Sequence, residues 1–376
     1  MKFCIDTKTF ARTLGLAASV VPARHPNHIM TSIRLHSDGK GKPLSVESCC
    51  GDIYFRASVT ACDVSEGGAC MVQAAILRQT VGQLSSITAN CSTSDAGLRI
   101  DGNFTSTIRD ISEGEFPSIG DGPCVARSFK ANELCSVLRS VMMVAPRSDG
   151  SRYAPPGVMV SYSGSQVDIA ATEGHMLVWQ HLRVAKGEQA SGVIPTKSAQ
   201  VIMNAIEDAG DDSECTLGIG PQCFVFTSEQ IEVRGALWEG VPVPYRDLVT
   251  NPGDNSITFN AREMCEALDE SRLYTSEMAC GVLIQPCGGT VKIVAETADV
   301  GRYVRAIVAE TKGSPEPVFI NPRHLAAVIK ASGDNSVTLI QESNTKPQQI
   351  RSSDGRCRCF AMPIDPKVVS APSPEK

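Results

Sequence analysis

"CIDTKTFARTL" at residues 4–14, "SFKANELCSVL" at 128–138 and "TFNAREMCEAL" at 258–268 are one pattern written three times. Each places an apolar residue five positions before a second and nine before a third: Ile5, Phe10, Leu14; Phe129, Leu134, Leu138; Phe259, Met264, Leu268. The last two members stand one helical turn apart, so each copy reads as a short strand running into a helix. A second set, "LSVESCCGDIYF", "VDIAATEGHMLV" and "VKIVAETADVGR", begins at Leu44, Val167 and Val291 and reads as strand, polar turn, strand. A third set, "GVIPTKSAQVIMNAI" and "VFINPRHLAAVIKAS" with the weaker "CMVQAAILRQTVGQL", reads as a strand entering a second helix. Pro195 and Pro322 sit near those helix starts, where a missing amide is tolerated. "GEFPSI", "GVPVPY" and "FAMPI" close the copies.

Landmarks recurring every ~120 to 130 residues are far too widely spaced for a solenoid. They predict three homologous α+β domains at 1–122, 123–250 and 251–366, each with two helices on antiparallel sheet, and a disordered tail at 367–376. The boundaries fall in turn-rich "GDGPC" and "TNPGDNS".

Bulk properties agree with a multidomain chain. At 376 residues it exceeds the size of one hydrophobic core, and 42% hydrophobic with 20% charged residues is a globular composition. No apolar run approaches the ~18 to 20 residues of a membrane span, and "MKFCIDTKTF" lacks the apolar core of a secretory signal. A soluble cytoplasmic protein is expected. Fifteen cysteines, an odd number without an export signal, read as reduced and mostly buried thiols. A formal net charge of -6 argues against a surface that attracts DNA everywhere. It leaves room for one basic face that holds nucleic acid locally.

A catalytic site is hard to assemble. His175, in "IAATEGHMLVWQ" at residues 169–180, could be a base, a metal ligand or part of a turn. Its counterparts eight positions into the other copies are Asp52 and Asp299, so the imidazole is not repeated and a turn or interface role is favoured. "CRC" at 357–359 lacks the spacing and the second pair of a zinc site, and "GIGPQC" is too short for a phosphate loop. Six histidines spread over three domains offer no evident thiol partner. No catalytic residue, metal or cofactor is expected.

The segments "MKFCIDTKTF", "VVPARHP", "SRYAPPGVMV", "AATEGHML", "VIPTKSA", "EGVPVPYRDLV" and "CFAMPID" resemble, in this order, the bacterial DNA polymerase III beta subunit, the sliding clamp. The resemblance spans residues 1 to about 365. It implies the clamp fold, in which two protomers of three domains join head to tail as a ring and helices line a hole for duplex DNA. It further implies a non-catalytic processivity factor that tethers the replicative polymerase and meets a clamp loader through short peptide motifs. The alternative is a diverged clamp-like protein that binds partners without encircling DNA.

The resemblance also assigns residues. DNA contacts fall on Arg24 and on Arg152 and Tyr153 of "RSDGSRYAPP". Helix-borne cations join them: Lys8 and Arg12, four apart on the face opposite Phe10 and Leu14, with Arg78, Arg139, Lys197, Arg262, Arg323 and Lys330 in or beside the other predicted helices. A partner-peptide pocket is formed by Thr172, Gly174, His175, Leu177, Pro242, Leu248, Phe360, Met362, Pro363 and Ile364, with the tail leaving close to it. The dimer seam is expected where Phe104 and Ile108 meet Leu273 and Tyr274 of a second protomer. The chain departs from the family pattern at Pro155, at Met176, in an extra residue within "GVPVPY" and in the tail.

Overall fold

The computed structural model describes residues 1–111, 116–117, 119–120, 122–146, 154–210, 212–246, 253–275 and 280–365. Six α-helices occur among them: α1 (Thr7–Val20), α2 (Ala74–Gly82), α3 (Ala131–Met142), α4 (Thr196–Ala209), α5 (Ala261–Ser271) and α6 (Pro322–Ser332). Strands Lys2–Asp6, Val125–Lys130 and Asn255–Asn260 run directly into α1, α3 and α5, as the threefold pattern predicts. α1 buries Thr7, Phe10, Thr13, Leu14, Ala17 and Val20, steps of three and four that keep one stripe inward, while Lys8 and Arg12 are exposed. Asp6 accepts from the Thr9 amide at 2.7 Å and Asn260 from the Glu263 amide at 3.1 Å, capping α1 and α5. Lys130 occupies the matching position before α3 and has no acceptor to offer.

The chain forms two compact units, one from Met1–Cys135 with Lys197–Leu237 and one from Ser136–Thr196 with Trp238–Lys376. The first contains a five-stranded sheet ordered Cys62–Glu66, Lys2–Asp6, Thr88–Ser94, Gly97–Asp101, Thr105–Ile108. Its eight-stranded sheet runs from Val125–Lys130 through Glu214–Ile219, Cys223–Thr227 and Ile231–Ala236 to Ile53–Val59, and on to Gly68–Gln73. The second unit is built on a ten-stranded sheet. All pairings are antiparallel.

The units divide the middle copy because each large sheet crosses a junction between copies. In the first unit the closing strand of the second copy, Ile231–Ala236, pairs with Ile53–Val59 of the first, in register Ile231 to Ala57 and Val233 to Phe55. In the second unit the closing strand of the third copy, Cys357–Ala361, pairs with the start of Met176–Pro195, in register Met176 to Ala361 and Leu177 to Phe360. Both junctions obey one rule: the strand after the polar turn of one copy receives the closing strand of the next.

A buried carboxylate fixes the segment carrying Arg246 onto the ten-stranded sheet. Asp168, 1% exposed, accepts from Gln166 Nε2 at 2.7 Å, His181 Nδ1 at 2.6 Å and Arg246 Nε at 3.0 Å, with a second bond from Arg246. Burial works to raise its pKa, but the bonds from His181, Gln166 and Arg246 outweigh it and bring the value down to about 2. A depressed carboxyl contributes stability that is complete above its unfolded value of ~4 and is lost as pH falls toward the folded one. Chemical denaturation is therefore expected to show Asp168→Asn less stable than wild type by about 2 kcal/mol at neutral pH, the gap closing between ~pH 4 and ~pH 2. An identical pH dependence for the two proteins would remove Asp168 from this role.

Candidate functional site

The residues expected to form the peptide pocket lie on the second unit. Strand Gly157–Thr172 turns at 173–175 into Met176–Pro195. Gly174 has φ 102°, a left-handed backbone that explains the glycine without reference to any ligand. Thr172 Oγ1 donates to the Met176 carbonyl at 2.6 Å and accepts from the Gly174 amide at 3.1 Å, which locks the turn. His175 is exposed, its Nδ1 3.5 Å from Glu173 and its ring 5.5 Å from that of His324 at the start of α6. Burial holds His324 below the usual histidine range. Among the described residues no group of three or more His, Cys, Asp or Glu is placed to hold a metal ion.

The C-terminal strand completes this edge. Phe360 pairs opposite Leu177, the Met362 amide donates to the His175 carbonyl at 2.8 Å, and the Ile364 amide donates to the Phe319 carbonyl at 2.8 Å. Pro363 bridges Ile320. Leu177 and Phe360 belong to a buried cluster with Met159, Ala170, Trp179, Val193 and Tyr245, while Ile364 packs on a second cluster of Leu283, Val294 and Phe319. Met362, 39% exposed, lies on the segment between them and leaves an adaptable apolar group at the surface. Thr172, Gly174, His175, Leu177, Phe360, Met362, Pro363 and Ile364 thus lie where the 173–175 turn meets the C-terminal strand.

Pro242 is exposed on the segment that follows Trp238. It lines a cavity of about 330 Å³ with Met159, Val160, Ser161, Ser191, Gly192 and the run from Val243 to Arg246. Val243 and Tyr245 connect it to the cluster beneath, where Tyr245 meets Trp179 edge-on at 5.3 Å and Arg358 lies 5.2 Å over the Trp179 ring. Both tryptophans of the chain, Trp179 and Trp238, pack here. Trp179, Trp238, Tyr245 and Arg246 join this site in addition to the residues expected from the sequence, where two rare tryptophans and a "PVPYR" segment are a usable signal. Leu248, Arg152 and Tyr153 lie outside the described residues, as does the tail.

The cations expected at DNA are distributed unevenly. Lys8 and Arg12 on α1, Arg78 on α2 and Arg24 beyond α1 are all exposed. Arg12 Nε is 2.8 Å from Asp208 of α4, and Lys197 at the start of α4 donates to the Val20 carbonyl at 2.7 Å. Arg139 projects from α3 and is exposed. On α5, Arg262 pairs with Glu266 at 2.9 Å amid exposed Glu263, Asp269 and Glu270. Lys330 of α6 lies 3.8 Å from Asp269, and Arg323 is exposed. The third copy therefore presents one carboxylate-rich helix, α5, where a basic face was expected, whereas α1 and α2 of the first copy and α6 of the third carry no carboxylate of their own.

Of the expected dimer-seam residues, Ile108 is buried at the end of Thr105–Ile108, the terminal strand of the five-stranded sheet, and Phe104 is half-buried. Leu273 is 76% exposed, and Tyr274 stacks on Tyr303 with centroids 5.6 Å apart. Beside them runs Gly301–Lys312, whose first part pairs with Thr290–Thr297 and whose last part pairs with Asn255–Asn260. Val304 and Val308, unnoticed in the sequence, stand exposed on this strand at 41% and 76%.

Comparison with known proteins places this arrangement. The N-terminal domain of the DNA polymerase III beta subunit matches residues 1–119 and its central domain matches residues 128–241. The beta sliding clamp of Rickettsia bellii is 25% identical over 97% of this chain and 99% of its own length. That of Pseudomonas aeruginosa is 20% identical over 94% and 96%. Among solved structures, the sliding clamp (DNA polymerase III subunit beta) of Pseudomonas aeruginosa bound to griselimycin superposes with a TM-score of 0.91 at 19% identity, over 97% of this chain and 99% of the other. The beta subunit of Thermotoga maritima gives 0.88 at 16%, over 97% and 99%. With two consecutive domains matched and relatives aligned over nearly their whole lengths, the chain belongs to the DNA polymerase III beta subunit family.

Proposed function

We propose that the protein is a DNA sliding clamp: two copies close head to tail into a ring around duplex DNA and tether a replicative polymerase and a clamp loader through short peptides. It acts without catalysis, its three domains following the divisions 1–122, 123–250 and 251–366. The observation that carries this reading is an unfinished pairing rule. Two junctions pair a closing strand with the strand after the polar turn of the preceding copy. The closing strand of the first copy, Thr105–Ile108, ends its sheet, and the first part of Gly301–Lys312 in the third copy has no such partner among the described residues. A second chain offering its Thr105–Ile108 to that edge obeys the same rule, and two such contacts close a ring. Exposed Leu273, Val304 and Val308 give the contact an apolar margin.

The remaining assignments follow from chemistry. Exposed Lys8, Arg24 and Arg78 supply a sparse positive lining that holds phosphates weakly and without reading sequence, which suits sliding. The face carrying Leu177, Phe360, Met362 and Ile364 supplies an apolar slot for peptide anchors, with His175 at its rim.

Three outcomes test the proposal. Sedimentation and negative-stain microscopy should show dimeric rings, and Leu273→Asp with Val304→Asp, both at exposed positions, should give folded monomers; a monomeric wild type would leave only a clamp-like binding protein. A fluorescent peptide with leucine and phenylalanine anchors should bind Met362→Ala about fivefold or more weakly than wild type by anisotropy, an interface truncation of ordinary hot-spot size. Titrations of linear duplex at several salt concentrations should show weak binding, with Arg24→Ala and Arg78→Ala each reducing the log-log salt slope by at most about 0.9. Unchanged peptide affinity or an unchanged slope would reassign the residue concerned.

A further inference from the structure

We propose that Glu270 of α5 is a positioning residue for the strand edge through which two copies associate; the inference rests on the self-association reading above. Along Gly301–Lys312 the side chains alternate. Arg302, Val304, Ala306 and Val308 are exposed, whereas Ile307 and Ala309 are buried on the other face. Apolar anchoring on the inward face stops at Ile307. The two preceding inward positions, Tyr303 and Arg305, are both polar, and both end on one carboxylate.

Glu270 Oε2 accepts from the Tyr303 hydroxyl at 2.7 Å, and Glu270 Oε1 accepts from Arg305 at 2.7 Å. Glu266, one turn earlier on α5, is 3.7 Å from Arg305. These bonds tie alternate residues of the strand to one turn of α5, and the hydroxyl bond orients the Tyr303 ring that stacks on Tyr274 beside exposed Leu273. A strand whose start is pinned this way keeps its outer edge straight and its valines facing out. Without these bonds the start of the strand is held along one edge only, by Thr290–Thr297, and a second chain would have to order its side chains on docking, which costs affinity. The carboxylates of α5 thus have a use that differs from contact with nucleic acid.

The test is self-association of the full chain by sedimentation equilibrium, with thermal unfolding recorded alongside. Glu270→Gln is expected to raise the dimer dissociation constant about two- to fivefold, the range of an exposed ion pair, with little change in unfolding temperature. Glu270→Arg combined with Arg305→Glu restores the pair with reversed charges and should recover most of the affinity, which a merely structural loss would not do. Arg356→Gln, which breaks an exposed pair with Asp354 elsewhere in the second unit, should leave the constant unchanged. A wild-type dimer indifferent to Glu270→Gln overturns the positioning role alone. A wild type that remains monomeric overturns the self-association reading and this role together.

Discussion

Antiparallel strand pairing across the junctions between copies is the constraint on which the rest of the structure depends. A strand at the edge of a sheet exposes a row of unpaired amides and carbonyls, and folds avoid leaving such rows open. Here the closing strands Ile231–Ala236 and Cys357–Ala361 do not return to their own copies' first strands but extend a neighbour's sheet. That single choice explains why the compact units cut through the middle copy. It also explains why Leu177 faces Phe360 although nearly half the chain separates them in sequence. A site assembled this way exists only when the third copy is folded onto the second.

Onto that frame the chain adds one strong polar contact and one aromatic cluster. Asp168 could not remain ionised at 1% exposure without its three donors, and the donors come from its own strand, from the paired strand and from the segment holding Pro242. Tyr245 beside Arg246 then turns its ring onto Trp179. Electrostatics fixes where the segment lies, and apolar burial fixes how deeply it packs. The cavity near Pro242 is a consequence of both.

The fold was legible in the sequence because its signals are local and repeated. Phe10 with Leu14, Leu134 with Leu138 and Met264 with Leu268 mark three helices by spacing alone, and Pro195 and Pro322 mark two further starts. The position of His175 in a polar turn was legible for the same reason. What could not be read depends on contacts remote in sequence. Nothing in "VDIAATEG" says that Asp168 will meet Arg246, and nothing in "VGRYVRAIV" says that Tyr303 and Arg305 share Glu270. Charge is hard to read for a related reason: Lys and Arg stand out helix by helix, but their carboxylate partners come from other turns and other elements. Arg12 with Asp208 and Lys330 with Asp269 illustrate this.

That pairing bears on how an acidic protein can serve DNA. With a formal net charge of -6, attraction cannot come from the chain as a whole. α1 and α2 carry Lys8, Arg12 and Arg78 with no carboxylate of their own, whereas α5 sets Glu263, Glu266, Asp269 and Glu270 against Arg262 alone. At physiological salt, fields between exposed charges fade over ~8 Å, so each helix face acts on a phosphate nearly independently. On the sliding-clamp reading proposed above, such a chain is repelled by DNA as a whole yet holds it gently once threaded, because the acid-free helices attract locally while carboxylate-rich faces discourage adhesion elsewhere. The acids on α5 need not oppose that role, since the same carboxylates that dilute the lining are engaged with Arg305 and Tyr303 in shaping the strand edge.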